Sequence, residues 1–251
     1  MTPRTERFIQ SKQSGGKIAV LTAYDYPLAR LLDETGIDII LVGDSLGMVV
    51  LGYPDTTLVT MDDMVHHTRA VARGVSNALV VADLPFHAYD TSEQAVANAR
   101  RLVEAGAHAV KLEGALAEQI GAVTAEGIPV MAHLGMLPQQ VREEGGYKIK
   151  GRTDDEAEQL IEQARLVEKA GAFSVVLELV TPDTAQRITR AISIPTIGIG
   201  SGADCDGQVL VIHDLVGLFP WFKPKFVKRR AEVATDIRNA VTAYIEETKQ
   251  G

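Results

Sequence analysis

Eight short apolar runs, rich in β-branched residues and separated by longer amphipathic stretches, constrain this fold more than any other feature. They cover residues 18–24, 37–43, 78–84, 109–113, 128–133, 173–180, 194–200 and 209–213. Segments such as "ALVVADL" and "FSVVLEL" are continuously apolar rather than alternating, as strands buried on both faces are. Helical spacing of apolar residues fills 27–34, 60–75, 91–104, 116–125, 154–169 and 184–191. Thr60, Thr91, Thr153 and Pro182-Asp183 stand where helix starts need a capping oxygen or a preset φ. A phrase recurs where helix gives way to strand, in "ETGID", "EAGAH", "AEGIP" and "KAGAF", each with a glycine placed for a left-handed helix end. Its spacing is uneven, which excludes a fixed-period solenoid.

Strand–helix alternation through 251 residues, with no Pro/Ser-rich linker, predicts a single α/β domain over 1–251, a (β/α)8 TIM barrel. Residues 224–248 are expected to form a C-terminal helix. A doubly wound open sheet is the alternative, because the pattern does not itself show closure.

Composition removes other classes. Twenty-five Lys+Arg against 33 Asp+Glu give a net charge of −8, the wrong sign for a nucleic-acid partner. The one cysteine, Cys205, excludes an intramolecular disulfide and a Cys-rich zinc site, and fits a reducing compartment. No apolar run is long enough to span a bilayer and residues 1–17 do not form a signal sequence, so a soluble, cytoplasmic protein is expected.

Polar residues gather at one end of the apolar runs. Asp44 closes "IILVGD", Asp83 closes "VVAD", Lys111 and Glu113 lie in "VKLEG", His133 ends "VMAH" and Glu178 interrupts "VVLELV". In a parallel barrel these C-terminal ends converge on one mouth, where such barrels carry their active sites. Clustered carboxylates repel one another and call for a cation; an all-oxygen set suits Mg²⁺ before Zn²⁺. Lys111, on the same strand face as Glu113, is suited to a substrate carboxylate or a developing oxyanion. "GIGSG" (198–202) is either a phosphate-approaching turn or a tight strand exit. "GGYKIKGR" (145–152), carrying Lys148, Lys150 and Arg152, is either a flap over an anionic ligand or a solvated loop.

The segments "TAYDY", "LVGDSLGMVVLG", "ADLPFHAY", "VKLEG", "HLGMLPQ", "GGYKIKGR", "IGIGSG", "CDGQVLV" and "PKFVKR" span nearly the whole chain, and with them it resembles the ketopantoate hydroxymethyltransferase family. The resemblance implies an enzyme of pantothenate biosynthesis. It would transfer a hydroxymethyl unit from 5,10-methylenetetrahydrofolate to 3-methyl-2-oxobutanoate through a Mg²⁺-stabilised enolate, giving 2-dehydropantoate. On the matching positions it implies Asp44, Asp83 and Glu113 as Mg²⁺ ligands, Asp44, Ser45, Asp83 and Lys111 as substrate-binding residues and Glu178 as the general base. His133 lies in a pocket motif without an assigned step. The family also implies a homo-oligomer, typically a decamer, with no membrane partner. Three positions depart from the family pattern: Thr181 where proline is common, Leu137 for threonine and Ser201 for alanine.

Two other readings compete. One is another Mg²⁺-dependent 2-oxo-acid aldolase or lyase of the phosphoenolpyruvate-mutase and isocitrate-lyase type, which would have no need of a folate. The other is a non-catalytic oligomeric scaffold that retains the barrel.

Overall fold

The structure, a computed structural model, describes residues 2–250. Of these, residues 2–209 and 210–250 belong to two compact units. The first runs α1 (Pro3–Gln13), β1 (Ile18–Thr22), α2 (Tyr26–Glu34), β2 (Ile39–Val42), α3 (Leu46–Val49), α4 (Met61–Gly74), β3 (Leu79–Asp83), α5 (Ser92–Glu104) and β4 (Ala109–Glu113). It continues through α6 (Ala117–Ala125), β5 (Val130–Gly135), α7 (Asp154–Lys169), β6 (Ser174–Glu178), α8 (Pro182–Ala191), β7 (Thr196–Ile199) and β8 (Gly207–Leu210). The second holds α9 (Ile212–Leu215) and α10 (Val233–Gln250).

The eight strands pair in parallel, in sequence order, and close into a barrel. The open-sheet alternative is therefore set aside. Closure is tight where the last strand meets the first. The Ile18 N–H donates to Asp206 O at 3.0 Å, and a Cβ on Gly207 would stand 2.4 Å from Ile18 O. Only glycine lets the two backbones approach this closely.

The anticipated caps form. Thr60 Oγ1 accepts from the Asp63 N–H while Asp63 accepts from the Thr60 N–H, a reciprocal box that satisfies two helix-end donors. Thr91 and Thr153 likewise accept from the N–H groups of Gln94 and Glu156. Asp33, near the end of α2, gathers the N–H groups of Ser76, Asn77 and Ala78 and the Asn77 side-chain amide, and so fixes the approach to β3.

Inside the barrel, Ile18, Ile39, Leu79, Met131 and Phe173 belong to one buried apolar cluster, which Phe8 of α1 joins. Burying one such ring is worth about 1.5–3 kcal/mol, and this anchors a helix that the strand pattern did not reveal. Because this interior is apolar, charge is left only for the C-terminal mouth.

Two expected boundaries move. The last strand was expected over 209–213 but lies at Gly207–Leu210, and Ile212–Leu215 turn into α9. Gly207 and Gln208 are poor strand formers by propensity, yet they pair with Ile197 and Gly198 of β7. The C-terminal helix, expected over 224–248, forms over Val233–Gln250. Lys225, Lys228, Arg229 and Arg230 would put positive charge at a helix N-terminus, where the macrodipole disfavours it; the helix begins after Glu232. Among the described residues no helix is long and apolar enough to cross a membrane.

Candidate active site

Strand register brings the singled-out residues together. Asp83 pairs with Lys111 across β3 and β4, Glu113 with His133 across β4 and β5, and Gly135 with Glu178 across β5 and β6. Asp44 follows β2 by two residues, and its N–H donates to Asp83 Oδ2 at 3.0 Å. Lys111 Nζ donates to Asp83 Oδ1 at 2.9 Å, with both side chains buried. Each Asp83 oxygen thus spends one lone pair and keeps another. Ser45, at the start of α3, shares a 2.8 Å hydrogen bond with the buried Tyr24 hydroxyl.

Electrostatics follow from packing three acids and one ammonium out of water. Burial, and then Asp83 and Glu113, push the Asp44 carboxyl well above the usual carboxylate range, against the pull of Lys111 and Gln139. Burial opposes the charge on Lys111, but Asp83, Glu113 and Asp44 outweigh it and hold the ammonium above its ordinary value. His133 lies with Nδ1 3.4 Å from Glu113 Oε1 and Nε2 3.4 Å from Glu178 Oε2, ion-pair distances without hydrogen-bond alignment. Burial and Lys111 work against its proton, yet the two glutamates raise it to about 9. Glu178 is the exception to this sealing: its side chain keeps 14% of its surface exposed.

Gly135 makes the Glu178 end of the site possible. Its φ is +95°, and a Cβ there would stand 2.3 Å from Glu178 O, so strands β5 and β6 meet with no room for a side chain. Past Glu178, Leu179 takes a left-handed φ of 48°, an uncommon conformation for a branched side chain.

The donor set suits a hard cation. Glu113 Oε1 is buried without a hydrogen-bond partner, and burial with two neighbouring acids pushes the Asp44 carboxyl well above the usual carboxylate range. A divalent ion would relieve both costs. Among the described residues no three acidic, histidine or cysteine side chains form a ready-made cage. Mg²⁺ does not need one, since it typically binds through one or two carboxylates, waters and the substrate.

Sequence reasoning missed Gln139 and Tyr89. The Gln139 side chain donates to Asp44 Oδ2 and its backbone N–H to Glu113 Oε2, while Tyr89 donates to the Gln139 amide oxygen. Both residues lie in quoted motifs, but nothing in a neutral loop residue announced the role. A separate groove of about 450 Å³, lined by Asp62, Val65, His66, Arg69 and Arg73, runs along α4 and holds none of these groups. Cys205 is buried, and burial raises its thiol above the ordinary value, which leaves it inert as a nucleophile.

A profile described as ketopantoate hydroxymethyltransferase matches residues 3–251. The chain belongs to this family. Among its relatives is the 3-methyl-2-oxobutanoate hydroxymethyltransferase of Syntrophus aciditrophicus, 59% identical over 96% of this chain and 90% of that protein. The protein of the same name from Acetivibrio thermocellus is 57% identical over 98% of this chain and 89% of its own length. The chain is therefore an enzyme of this hydroxymethyltransferase type, and the scaffold reading is set aside. Among solved structures, a phosphoenolpyruvate phosphomutase from Streptomyces platensis superposes with a TM-score of 0.67 at 16% identity, covering 98% of this chain and 88% of that one. A phosphonopyruvate hydrolase complexed with oxalate and Mg²⁺ superposes with a TM-score of 0.64 at 17% identity, covering 84% and 81%. Likeness at that identity shows the shared barrel alone, and so does not favour the lyase reading.

Proposed function

We propose that this enzyme transfers the one-carbon unit of 5,10-methylenetetrahydrofolate to 3-methyl-2-oxobutanoate, giving 2-dehydropantoate for pantothenate synthesis, with Mg²⁺ held by Asp44, Asp83 and Glu113. The observation that carries this reading is the buried group of Asp44, Asp83, Glu113 and Lys111 beside an accessible Glu178, in a chain the family profile matches from residue 3 onward. A bound Mg²⁺ would supply Lewis acidity toward the keto oxygen of the oxo acid.

The chain's own residues account for the rest. Asp44, Ser45, Asp83 and Lys111 hold the oxo acid, with the Ser45 hydroxyl oriented by Tyr24. Lys111, fixed on Asp83 and fully charged, neutralises the substrate carboxylate and the oxygen that gains charge as C3 loses its proton. Glu178, the acid left open to the mouth, takes that proton as general base. The His133 imidazolium between Glu113 and Glu178 limits their mutual repulsion and keeps Glu178 aimed. The carbanion at C3 then forms a bond to the methylene carbon of the folate, and the two C–N bonds of that carbon break. Water supplies the hydroxyl that makes it CH₂OH. The proton of water and the one held by Glu178 go to the two nitrogens of the departing tetrahydrofolate.

The tetrahydrofolate tail is anionic, and Lys148 and Arg152 in the loop after β5 are exposed and available to it. Lys150 is not, because its ammonium pairs with Glu144 of the same loop. We also propose that residues 1–251 act as one domain in a cytoplasmic homo-oligomer, of decameric size in the family. This is supported by the exposed Ile237, Val241, Tyr244 and Ile245 of α10.

The deciding experiment follows the C3 proton of 3-methyl-2-oxobutanoate in D₂O by NMR without folate, with Mg²⁺ and with EDTA. Exchange that requires the metal and is lost in Glu178→Gln is expected. Full exchange in Glu178→Gln would remove it as the base. Product formation independent of methylenetetrahydrofolate would overturn the transfer itself.

A further inference from the structure

Gln139 has no charge and no reacting group, yet it is 3% exposed at the heart of an ionic site. It stands in a single 3-10 turn, Pro138–Gln140, just after β5. Its polar contacts reach two of the acids, the Tyr89 hydroxyl and one backbone carbonyl. Its Nε2 donates to Asp44 Oδ2 at 2.7 Å and to Leu84 O at 3.1 Å, and its backbone N–H donates to Glu113 Oε2 at 3.1 Å. Its Oε1 accepts from the Tyr89 hydroxyl at 2.5 Å.

The orientation of this amide is forced. A carboxylate and a carbonyl, both acceptors only, face one end, so the NH₂ must lie there. Tyr89 receives the Glu113 N–H at 3.3 Å, which leaves its own hydrogen for Gln139 Oε1. Rotating the amide would break three bonds and set its oxygen against Asp44 and Leu84 O.

We infer that Gln139 is a positioning residue, fixed by Tyr89, that holds Asp44 and Glu113 with one oxygen each engaged and the other turned toward the cation. The inference rests on the reading of these two acids as cation ligands. It explains why Glu113 Oε1 is buried with no hydrogen bond, only His133 Nδ1 at 3.4 Å, although Oε2 is bound. It also explains how two repelling carboxylates keep a fixed geometry before a cation arrives: one residue, through side chain and backbone, donates to both. Outer partners that orient metal-binding groups commonly change affinity by about 10–100-fold when removed.

The test is the Mg²⁺ dissociation constant of the purified enzyme, measured by isothermal titration calorimetry without substrates, beside its melting temperature. Gln139→Met keeps the length and the backbone N–H but loses all three side-chain amide hydrogen bonds, and should raise the constant by about 10–100-fold. Tyr89→Phe removes only the oxygen that locks the amide, and should raise it in the same direction by less. Excess Mg²⁺ should restore much of the turnover in both, which a merely structural role would not produce. Wild-type affinity in folded Gln139→Met overturns the inference. If that variant does not fold, wild-type affinity in Tyr89→Phe overturns it instead. Asp44→Asn is the separate control: if it binds Mg²⁺ like the wild type, the ligand assignment fails, whatever Gln139 does.

Discussion

Ser201 Oγ accepts from the Val180 N–H at 3.0 Å and donates to Leu177 O at 2.7 Å, so one hydroxyl brackets Glu178 on both sides. Alanine, common here in the family, could do neither. Removing the hydroxyl leaves a buried N–H unsatisfied, which typically costs about 1–3 kcal/mol. Glu178 is held by other bonds too, since Met136 N–H donates to Glu178 O at 2.8 Å and Leu179 N–H to Ile199 O at 3.0 Å. Ser201→Ala should therefore lower the urea midpoint clearly while turnover drops no more than a few-fold. A variant as stable as the wild type would show that the bracket contributes nothing.

Asp33 gives the fold a pH dependence of defined sign. Burial works against its charge, but the N–H groups of Ala78, Ser76 and Asn77 outweigh that and hold its carboxyl below the ordinary value. Its stabilisation is therefore complete above the unfolded carboxyl pKa, about 4, and is lost as pH falls through the lower folded value. Asp33→Asn should cost about 2 kcal/mol at pH 7, and the gap to wild type should shrink in urea titrations below about pH 4. A gap that stays constant on acidification would refute the ionic account.

What could be read in the sequence depended on the physics of each signal. Strands buried on both faces leave an unbroken apolar run, so the barrel and seven of its eight strands were legible. The eighth was displaced because Gly207 is selected by closeness to Ile18, a tertiary contact that local propensity opposes. Asp44, Asp83, Lys111, Glu113, His133 and Glu178 were legible because charge at the end of an apolar strand needs a reason. Gln139 and Tyr89 were not, because a neutral amide and a phenol 50 residues apart acquire meaning only when folding joins them. Nothing in the polar composition of 224–232 separates it from the helix that follows; its positive charge does, because the macrodipole disfavours cations at a helix N-terminus.

Gly135 joins fold and chemistry most directly. A Cβ there would lie 2.3 Å from Glu178 O and 2.7 Å from Val180 Cγ2, on a backbone already at φ +95°. Alanine must push β5 and β6 apart or force the strained conformation, either way moving Glu178. Since misplacing a reacting group by about 1 Å can cost about 100-fold, Gly135→Ala should lose turnover on that order and about 3 kcal/mol of stability. Mg²⁺ affinity, set on the far side of His133, should change little. Calorimetry and steady-state rates on one preparation separate these outcomes, and near-normal turnover would show that Glu178 is not placed by this contact.

The loop after β5 holds Lys148, Lys150 and Arg152 in two different settings. Its far end is strapped down: Lys150 N–H donates to Leu179 O at 2.8 Å, Thr181 N–H donates to Lys150 O at 3.0 Å, and the Thr181 and Thr184 hydroxyls donate to Gly151 O. Proline at position 181 would have no N–H for the second bond. Lys150 also pairs with Glu144 inside the loop, whereas Lys148 and Arg152 are exposed. Replacing Lys148 and Arg152 together by alanine should weaken methylenetetrahydrofolate binding about 10-fold, roughly 1.4 kcal/mol, more at low salt than at high. Affinity for the oxo acid should be unchanged. Lys150→Ala should instead loosen the loop, visible as faster amide exchange at residues 145–151, with a smaller effect on folate. Equal folate affinity in the Lys148/Arg152 double variant and the wild type would leave those two cations as solvated surface.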